Sequence, residues 1–224
     1  MSHGKHFTLY TNTIAPNGWK VVFVLEELGL TYESVYLNFD ENEHKSPEFT
    51  KLNPNGRIPA LVDHKNGDSV IWESDAIILY LADKYDTERR VSVSDEKERY
   101  SLIQWLFFQA SGQGPYFGQA VWFLRSHPEQ VPSAIERYRK EVLRVFSVLD
   151  SVLSKQEWLV GDKPTVADIS FIPYNHGAFH LIIKDYAGVD VQKDYPAFFA
   201  WHQKLISRDS VKRAFAIQES LNKH

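Results

Sequence analysis

Apolar and polar residues in the first part of the chain follow a strand period and a helix period in turn. Residues 6–10 and 32–38 alternate and carry β-branched or aromatic side chains, and a helical segment at residues 18–28 lies between them. Next come a short helix in SPEFTKLN, a strand in RIPALVDH, a turn at KNGD, a strand at SVIW and a helix in ESDAIILYLADKY. The order β-α-β-α-β-β-α predicts a small α/β layer that needs a helical partner to cover it.

The pattern changes after Tyr85. The segment DTERRVSVSDE is polar, has no clear period and is typical of a linker. Beyond it the chain carries only helical patterns, at residues 95–110, at residues 133–153 and from Thr165 onward. We therefore expect an α/β domain at 5–86, a linker at 87–94 and an all-helical domain at 95–224.

Composition narrows the possible partners. The 224 residues are 43% apolar and 24% charged, which is enough for a buried core. A net charge of −4, with both signs spread along the chain, predicts neither a nucleic-acid partner nor a membrane surface. The N-terminal segment MSHGKHFTLY lacks the apolar core of a signal peptide, so we expect a cytoplasmic protein. Because the chain has no cysteine, the sulfur for any thiol chemistry must come from a ligand.

Two local patterns have structural or metal-binding interpretations. Thr165 and Asp168 form a capping box in which Asp replaces the usual Glu or Gln, and a plain helix start is preferred to a catalytic role for Asp168.

His176 and His180 are spaced to share one helix face. No acidic residue lies between them and no third ligand is evident, so we expect no metal.

Four segments carry a resemblance to a known family: APNGWKVVFVLEELGLTYE, PEFTKLNPNGRIPALVD, IWESDAIILYLADKY and WLVGDKPTVADISFIPY. Together they resemble the glutathione transferases over nearly the whole chain. The words APNG and WLFFQASGQGPYFGQA look like the fungal class related to the yeast nitrogen-catabolite regulator that forms a prion, and are similar to the bacterial nu class. The resemblance implies a thioredoxin-like N-terminal domain, an all-α C-terminal domain, glutathione as co-substrate and a homodimer.

The resemblance also assigns glutathione-binding roles. It implies a cis peptide bond before Pro59, with the main chain of Ile58 pairing with the cysteinyl unit of glutathione. Glu73 would take the γ-glutamyl ammonium, and Ser74 with the free amides of its helix would take the carboxylate. The alternative for Pro59 is a trans proline at a strand edge. The alternative for Glu73 and Ser74 is that they only cap their own helix.

His44 and Arg57 resemble the family positions that hold the glycyl carboxylate, and a positive or hydrogen-bonding group suits that role. The alternative is that both are solvated loop residues. For the second substrate we nominate Tyr116, Phe117 and Trp122, in an aromatic stretch whose glycines and proline should break or kink a helix. The alternative is that most rings of that stretch belong to a domain interface or a dimer core.

Asn17 occupies the position where the matching classes place their sulfur-facing residue, whereas other classes use Tyr, Ser or Cys. Its amide cannot act as a base at neutral pH, but it can donate a hydrogen bond that favours a thiolate. Lowering a thiol pKa of ~8.5 by about two pH units needs ~2.7 kcal/mol. One neutral hydrogen bond supplies ~0.5–1.5 kcal/mol, so backbone amides or the helix N-terminus must supply the remainder. The alternative is that Asn17 only caps its helix.

Weak activation of this kind suits thiol exchange better than attack on aryl halides. The expected activity is therefore glutathione-dependent disulfide reduction, deglutathionylation of adducts or peroxide reduction, with conjugation as a detoxifying side activity. A second glutathione must resolve any intermediate. The alternative is a non-catalytic carrier or regulatory binding protein; the short LSKQEWLVGD connection argues against the regulator, and a carrier stays open.

Overall fold

The computed structural model describes residues 4–221. The strands are Phe7–Thr11 (β1), Tyr32–Tyr36 (β2), Ala60–Asp63 (β3) and Ser69–Trp72 (β4). The α-helices are Pro16–Leu28 (α1), Pro47–Thr50 (α2), Ser74–Tyr85 (α3), Glu96–Phe108 (α4), Gly114–Val121 (α5), Pro132–Leu153 (α6), Val166–Ser170 (α7), Ile172–Leu181 (α8), Val191–Asp194 (α9), Pro196–Ile206 (α10) and Asp209–Leu221 (α11). Over this part of the chain, no helix has both the length and the apolar character needed to cross a bilayer.

The strands form one mixed sheet in the order β2-β1-β3-β4. β1 runs parallel to β2 and antiparallel to β3, and β3 and β4 form an antiparallel hairpin across the KNGD turn. The crossover helix α1 between parallel strands is the connection that a parallel pair requires. The predicted fold class, a thioredoxin-like α/β layer followed by helices, is confirmed.

Contacts divide the chain into two units whose limits differ from the predicted domains. The first unit runs to Ser92 and includes the chain from Arg208 onward; the second is Val93–Ser207. The last helix therefore groups with the α/β layer, although we expected all of 95–224 in the helical domain. Residues 222–224 of that expected range lie outside the described residues.

Helix α11 joins the first unit because it packs on α1. The Phe23 and Phe215 rings meet at 5.2 Å, edge to face. Arg208 Nε donates to Glu27 Oε2 at 3.2 Å, and the Glu27 side chain is only 10% exposed. An amphipathic pattern reports that a helix has an apolar face but not which element covers that face, so this pairing was not predictable from α11 itself.

The second unit contains the aromatic stretch in which we expected a broken or kinked helix. The helical path is not broken: it continues from α4 through a π-helical segment at Gln109–Gln113, then through α5, then through a second π-helical segment at Trp122–Ser126. Buried amides line the first: Gln109 Nε2 donates to Gln113 Oε1 at 2.9 Å, and Gln113 Nε2 to Asn175 Oδ1 at 2.7 Å. Pro115 is accommodated in the first turn of α5, where no amide donor is needed.

Asp168 is a fully buried hydrogen-bond hub of the second unit. Its carboxylate accepts from Thr165 N at 2.8 Å, Leu159 N at 2.9 Å and Trp201 Nε1 at 2.9 Å, while Thr165 Oγ1 accepts from Ala167 N at 3.2 Å. The predicted capping box is therefore present. Burial raises the pKa of the Asp168 carboxyl, and these hydrogen bonds oppose that shift.

Replacing Asp168 by Ala leaves several buried donors without an acceptor. We expect the free energy of unfolding, measured by urea denaturation, to fall by about 3 kcal/mol. The matched control is Asp95→Ala, which removes an exposed N-cap aspartate of α4 that accepts from Lys97 N and Glu98 N, and it should cost about 1 kcal/mol. Equal losses in the two variants would contradict the hub role of Asp168.

Candidate active site

Asn17 is the second residue of α1, at the end of the sheet where β1 stops. The N-cap is Ala15, in an extended conformation and with no side-chain capping bond, so the alternative that Asn17 caps its helix is wrong. The half-buried Asn17 side chain instead accepts a hydrogen bond at Oδ1 from Ser74 Oγ, at 3.4 Å. The two residues, 57 positions apart in sequence, therefore share one site.

The loop between β1 and α1 is held by side chains from several directions. Thr13 O accepts from Trp19 Nε1 at 2.9 Å and from Gln218 Nε2 of α11 at 3.2 Å. Asn12 Nδ2 donates to Leu37 O at 3.1 Å, and Asn12 Oδ1 accepts from Ile14 N. These bonds set the direction in which the chain enters α1, and with it the position of Asn17.

Gly18 follows Asn17 because α1 starts directly against β1. A Cβ at position 18 would overlap Thr11 Oγ1, and Thr11 is 1% exposed, so it has little freedom to move. Packing therefore requires the glycine of the APNG motif, and sequence reasoning did not predict this requirement.

A groove of about 410 Å³ opens beside Asn17. It brings together four of the predicted residues, which are Asn17, His44, Arg57 and Ile58, with four that were not predicted, which are Ala15, Pro16, Phe39 and Lys45. Phe39 is 40% exposed and its ring lies 4.5 Å from the His44 ring. The groove thus has an aromatic wall and a basic end.

The segment before Pro59 lines the groove with Arg57 and Ile58. The Ile58–Pro59 peptide bond is cis, the state that the resemblance implied. Asn53 shapes the approach to it: Nδ2 donates to Arg57 O at 2.6 Å, and Oδ1 accepts from Asn55 N at 3.0 Å. Asn53 is 2% exposed. Asparagine in a turn-forming segment is the sequence signal that could have identified this structural role.

The basic end of the groove has two cations and one neutral imidazole. Arg57 is exposed, and Lys45 Nζ donates to Gly56 O at 2.6 Å. Burial, followed by the charge of Lys45, lowers the pKa of His44 below its usual value, so its ring is neutral at pH 7. Arg57 and Lys45 therefore supply the positive charge, and His44 contributes hydrogen bonding.

The start of α3 completes the site. Glu73, the N-cap, has φ 70°, a left-handed conformation that costs a non-glycine residue energy and is typical of functional positions. Ser74 is 5% exposed, and its Oγ accepts from Lys20 Nζ at 3.0 Å. Lys20 also contacts Asp75 at 3.2 Å. Sequence reasoning named Glu73 and Ser74 but missed Lys20, whose position on the buried face of α1 is unusual for a lysine.

Two family descriptions match the chain: glutathione S-transferase, N-terminal domain, over residues 5–83, and glutathione S-transferase, C-terminal domain, over residues 115–209. The chain belongs to the glutathione S-transferase family. Among similar proteins of this family, glutathione S-transferase 2 of Schizosaccharomyces pombe is 50% identical over 218 residues, which cover 94% of this chain and 95% of that protein.

Two solved glutathione transferases from Phanerochaete chrysosporium have the same fold. URE2P6, crystallised in complex with oxidized glutathione, is 58% identical with a TM-score of 0.94, covering 98% of this chain and 99% of that one. Ure2p5, cocrystallised with 1-(S-glutathionyl)-2,4-dinitrobenzene, is 52% identical with a TM-score of 0.93, covering 100% and 99%. The resemblance to the Ure2-related fungal class of glutathione transferases is thereby confirmed.

The three nominated rings of the second unit have different surroundings. Phe117 is 1% exposed and packs on Phe146 and Tyr174, so it is a core residue. Tyr116 is half-buried and lies 6.4 Å from the Tyr138 ring, while Trp122 is 48% exposed. Only the latter two reach the surface of this unit.

The histidines of α8 lie close together without a metal-binding set around them. The rings of His176 and His180 are 4.6 Å apart, edge to face. Within residues 4–221 there is no group of three or more His, Cys, Asp or Glu side chains arranged to hold a metal ion.

Gly18→Ala tests the close approach of α1 to β1. The added methyl group must displace Thr11 or the start of α1, and we expect a loss of about 2 kcal/mol in the free energy of unfolding. Gly118→Ala, in α5, is the control, because nothing lies within 4 Å of its added Cβ. That variant should be neutral or stabilised by up to about 1 kcal/mol. Both values come from urea denaturation, and an undisturbed Gly18→Ala protein would contradict the packing argument.

Proposed function

We propose that the protein binds glutathione in the groove beside Asn17 and uses its thiolate for disulfide reduction and related thiol transfer. The observation that carries the proposal is the convergence of Asn17, the cis Ile58–Pro59 segment and the start of α3 at one site. The complexes of the two P. chrysosporium relatives with oxidized glutathione and with a glutathionyl conjugate support it.

The groove offers a partner for each part of the tripeptide. The main chain of Ile58 pairs with the cysteinyl unit as an added strand would. Arg57 and Lys45 attract the glycyl carboxylate, and His44 donates a hydrogen bond to it. At the other end, Ser74 and the first amides of α3 receive the γ-glutamyl carboxylate, while Glu73 receives the ammonium.

In this proposal Asn17 donates from Nδ2 to the sulfur, because its Oδ1 already accepts from Ser74. The thiolate attacks the glutathionyl sulfur of a glutathionyl mixed disulfide; a new S–S bond joins the two glutathiones, the old S–S bond breaks, and the other thiolate leaves and takes a proton. The products are a free thiol and oxidized glutathione. Removal of glutathione from adducts and peroxide reduction end in the same oxidized product, with a second glutathione as the reductant, since the protein has no cysteine. Such chemistry suits the cytoplasm, where reduced glutathione predominates.

Asn17→Ala should lower the rate of glutathione-dependent reduction of a small glutathionyl mixed disulfide about tenfold. That loss corresponds to ~1.4 kcal/mol, the size of one hydrogen bond to a developing or stable thiolate. Conjugation of chlorodinitrobenzene, measured beside it, should be slow in both proteins. The disulfide assay couples oxidized glutathione to NADPH oxidation.

Asn66→Ala is the matched control, because Asn66 lies in the turn between β3 and β4 and does not line the groove. Its rates should equal those of the wild type. Equal rates in wild type and Asn17→Ala would remove Asn17 from the mechanism. If the protein binds glutathione but turns over none of these substrates, the result would instead favour a non-catalytic carrier protein.

We also propose that the protein is a homodimer. In the first unit, Val70 and Trp72 point the same way from β4, the last strand of the sheet, and are 38% and 39% exposed. In the second unit, Tyr100 and Phe107 lie seven residues apart on α4 and are 62% and 70% exposed. Exposed apolar residues that repeat along one face are typical of an interaction surface.

Trp72→Glu and Phe107→Glu should each shift the protein from dimer to monomer, because a carboxylate buried in an interface is costly. Light scattering after size exclusion gives the mass. Leu181→Glu is the control: Leu181 is 43% exposed at the end of α8 and belongs to neither face, so this variant should stay dimeric. A monomeric wild type would end the dimer proposal.

A further inference from the structure

Lys20 is a buried lysine next to the proposed glutathione site. It lies on α1, is 1% exposed, and its ammonium contacts Ser74 Oγ at 3.0 Å and both carboxylate oxygens of Asp75 at 3.2 Å. Burial lowers the pKa of Lys20, and the negative charge of Asp75 opposes that shift. Charge alone does not explain its contact with a neutral serine.

The contact settles which way the serine hydroxyl points. An ammonium group has only donors, so Ser74 Oγ must accept from Lys20. The hydroxyl proton of Ser74 is then directed away from Lys20, and the acceptor found there is Asn17 Oδ1. Because Asn17 Oδ1 accepts, its Nδ2 group faces elsewhere and is available as a donor.

The bond between Ser74 and Asn17 is long, 3.4 Å between the oxygen atoms, compared with about 2.7–2.8 Å for an ordinary hydroxyl bond. A carboxylate that enters beside Ser74 offers a shorter, charge-assisted bond for the same proton. The proton is therefore oriented toward the site by Lys20 and only loosely held by Asn17.

We propose that Lys20 is a positioning residue, which keeps Ser74 as a donor to the γ-glutamyl carboxylate and, through Ser74, sets the amide orientation of Asn17. The inference rests on the proposed glutathione site. It adds a chain of contacts, Lys20 to Ser74 to Asn17, that connects the carboxylate end of the ligand to its sulfur. Asp75 keeps the ammonium neutralised so that it can be buried.

A double-mutant cycle tests this chain. We expect Lys20→Met to raise the Kd of glutathione, measured by calorimetry, about fivefold, and Ser74→Ala to raise it about tenfold. In the Ser74→Ala protein, the additional change Lys20→Met should alter Kd less than twofold, because the contact with Ser74 through which Lys20 acts on the ligand is already gone. The same fivefold loss in both backgrounds would overturn the proposal, since Lys20 would then act without Ser74.

Lys20→Met leaves the carboxylate of Asp75 without its ammonium and can impair folding. The cycle is therefore repeated with Asp75→Asn present throughout, which removes the unpaired charge. Thermal unfolding of every variant shows whether it is folded before binding is measured.

Chemical rescue gives a second, independent measurement. The protein has no cysteine, so Lys20→Cys introduces a unique thiol, which can be alkylated with bromoethylamine in denaturant and the protein refolded. The product carries a lysine analogue of the same length. It should bind glutathione within about twofold of the wild type, whereas the unmodified Lys20→Cys protein should be about fivefold weaker. Failure of the refolded analogue to recover binding would count against a role for the ammonium.

The sulfur end is followed by the ultraviolet absorbance of the bound thiolate against pH. Lys20→Met should raise the apparent pKa of bound glutathione, and the Ser74→Ala protein should show the same rise with or without Lys20. An unchanged thiol pKa in these variants would contradict the proposal that Ser74 sets the amide orientation of Asn17. If the wild type binds no glutathione, the proposed function fails first; if it binds and the cycle shows no coupling, only the present inference fails.

Discussion

A buried ammonium must be paired, and the pairing of Lys20 with α3 determines how the first unit is assembled. Lys20 is buried on α1, and its ammonium offsets the desolvation penalty by meeting Asp75 and Ser74 at the start of α3. That contact fixes the N-terminal ends of the two helices beside each other. Asn17, one turn before Lys20, is thereby placed against Ser74, so the arrangement of the candidate site follows from a structural ion pair.

The features that sequence predicted well are those whose cause is local. Alternation and turn chemistry gave the strands and the hairpin, with differences of a few residues at their ends, since end residues depend on pairing as much as on pattern. The capping box at Thr165 needs only residues three apart, and it is present. The groove residues Asn17, His44, Arg57 and Ile58 were named through motif resemblance, and they do lie together.

What could not be predicted depends on elements that are distant in sequence. Position 18 must be glycine because the Thr11 side chain, on the other side of a loop, occupies the space of a Cβ. Lys45 and Phe39 line the groove from a short turn that has no recognisable sequence pattern. Lys20 looks like an ordinary polar position of a helix. Phe117 seemed a pocket residue because aromatic rings near glycine are ambiguous between core and site. In each case the missing information was the identity of the neighbour.

The return of α11 to the α/β layer makes the first unit discontinuous in sequence. During synthesis the ribosome releases the strands and α1 early, yet Arg208 and Phe215, which cover α1, emerge only after the whole second unit has been made. Gln218, which holds Thr13 in the loop before Asn17, comes later still. The helical unit can therefore fold as soon as it has left the ribosome, whereas the α/β layer stays partly uncovered until α11 has been made.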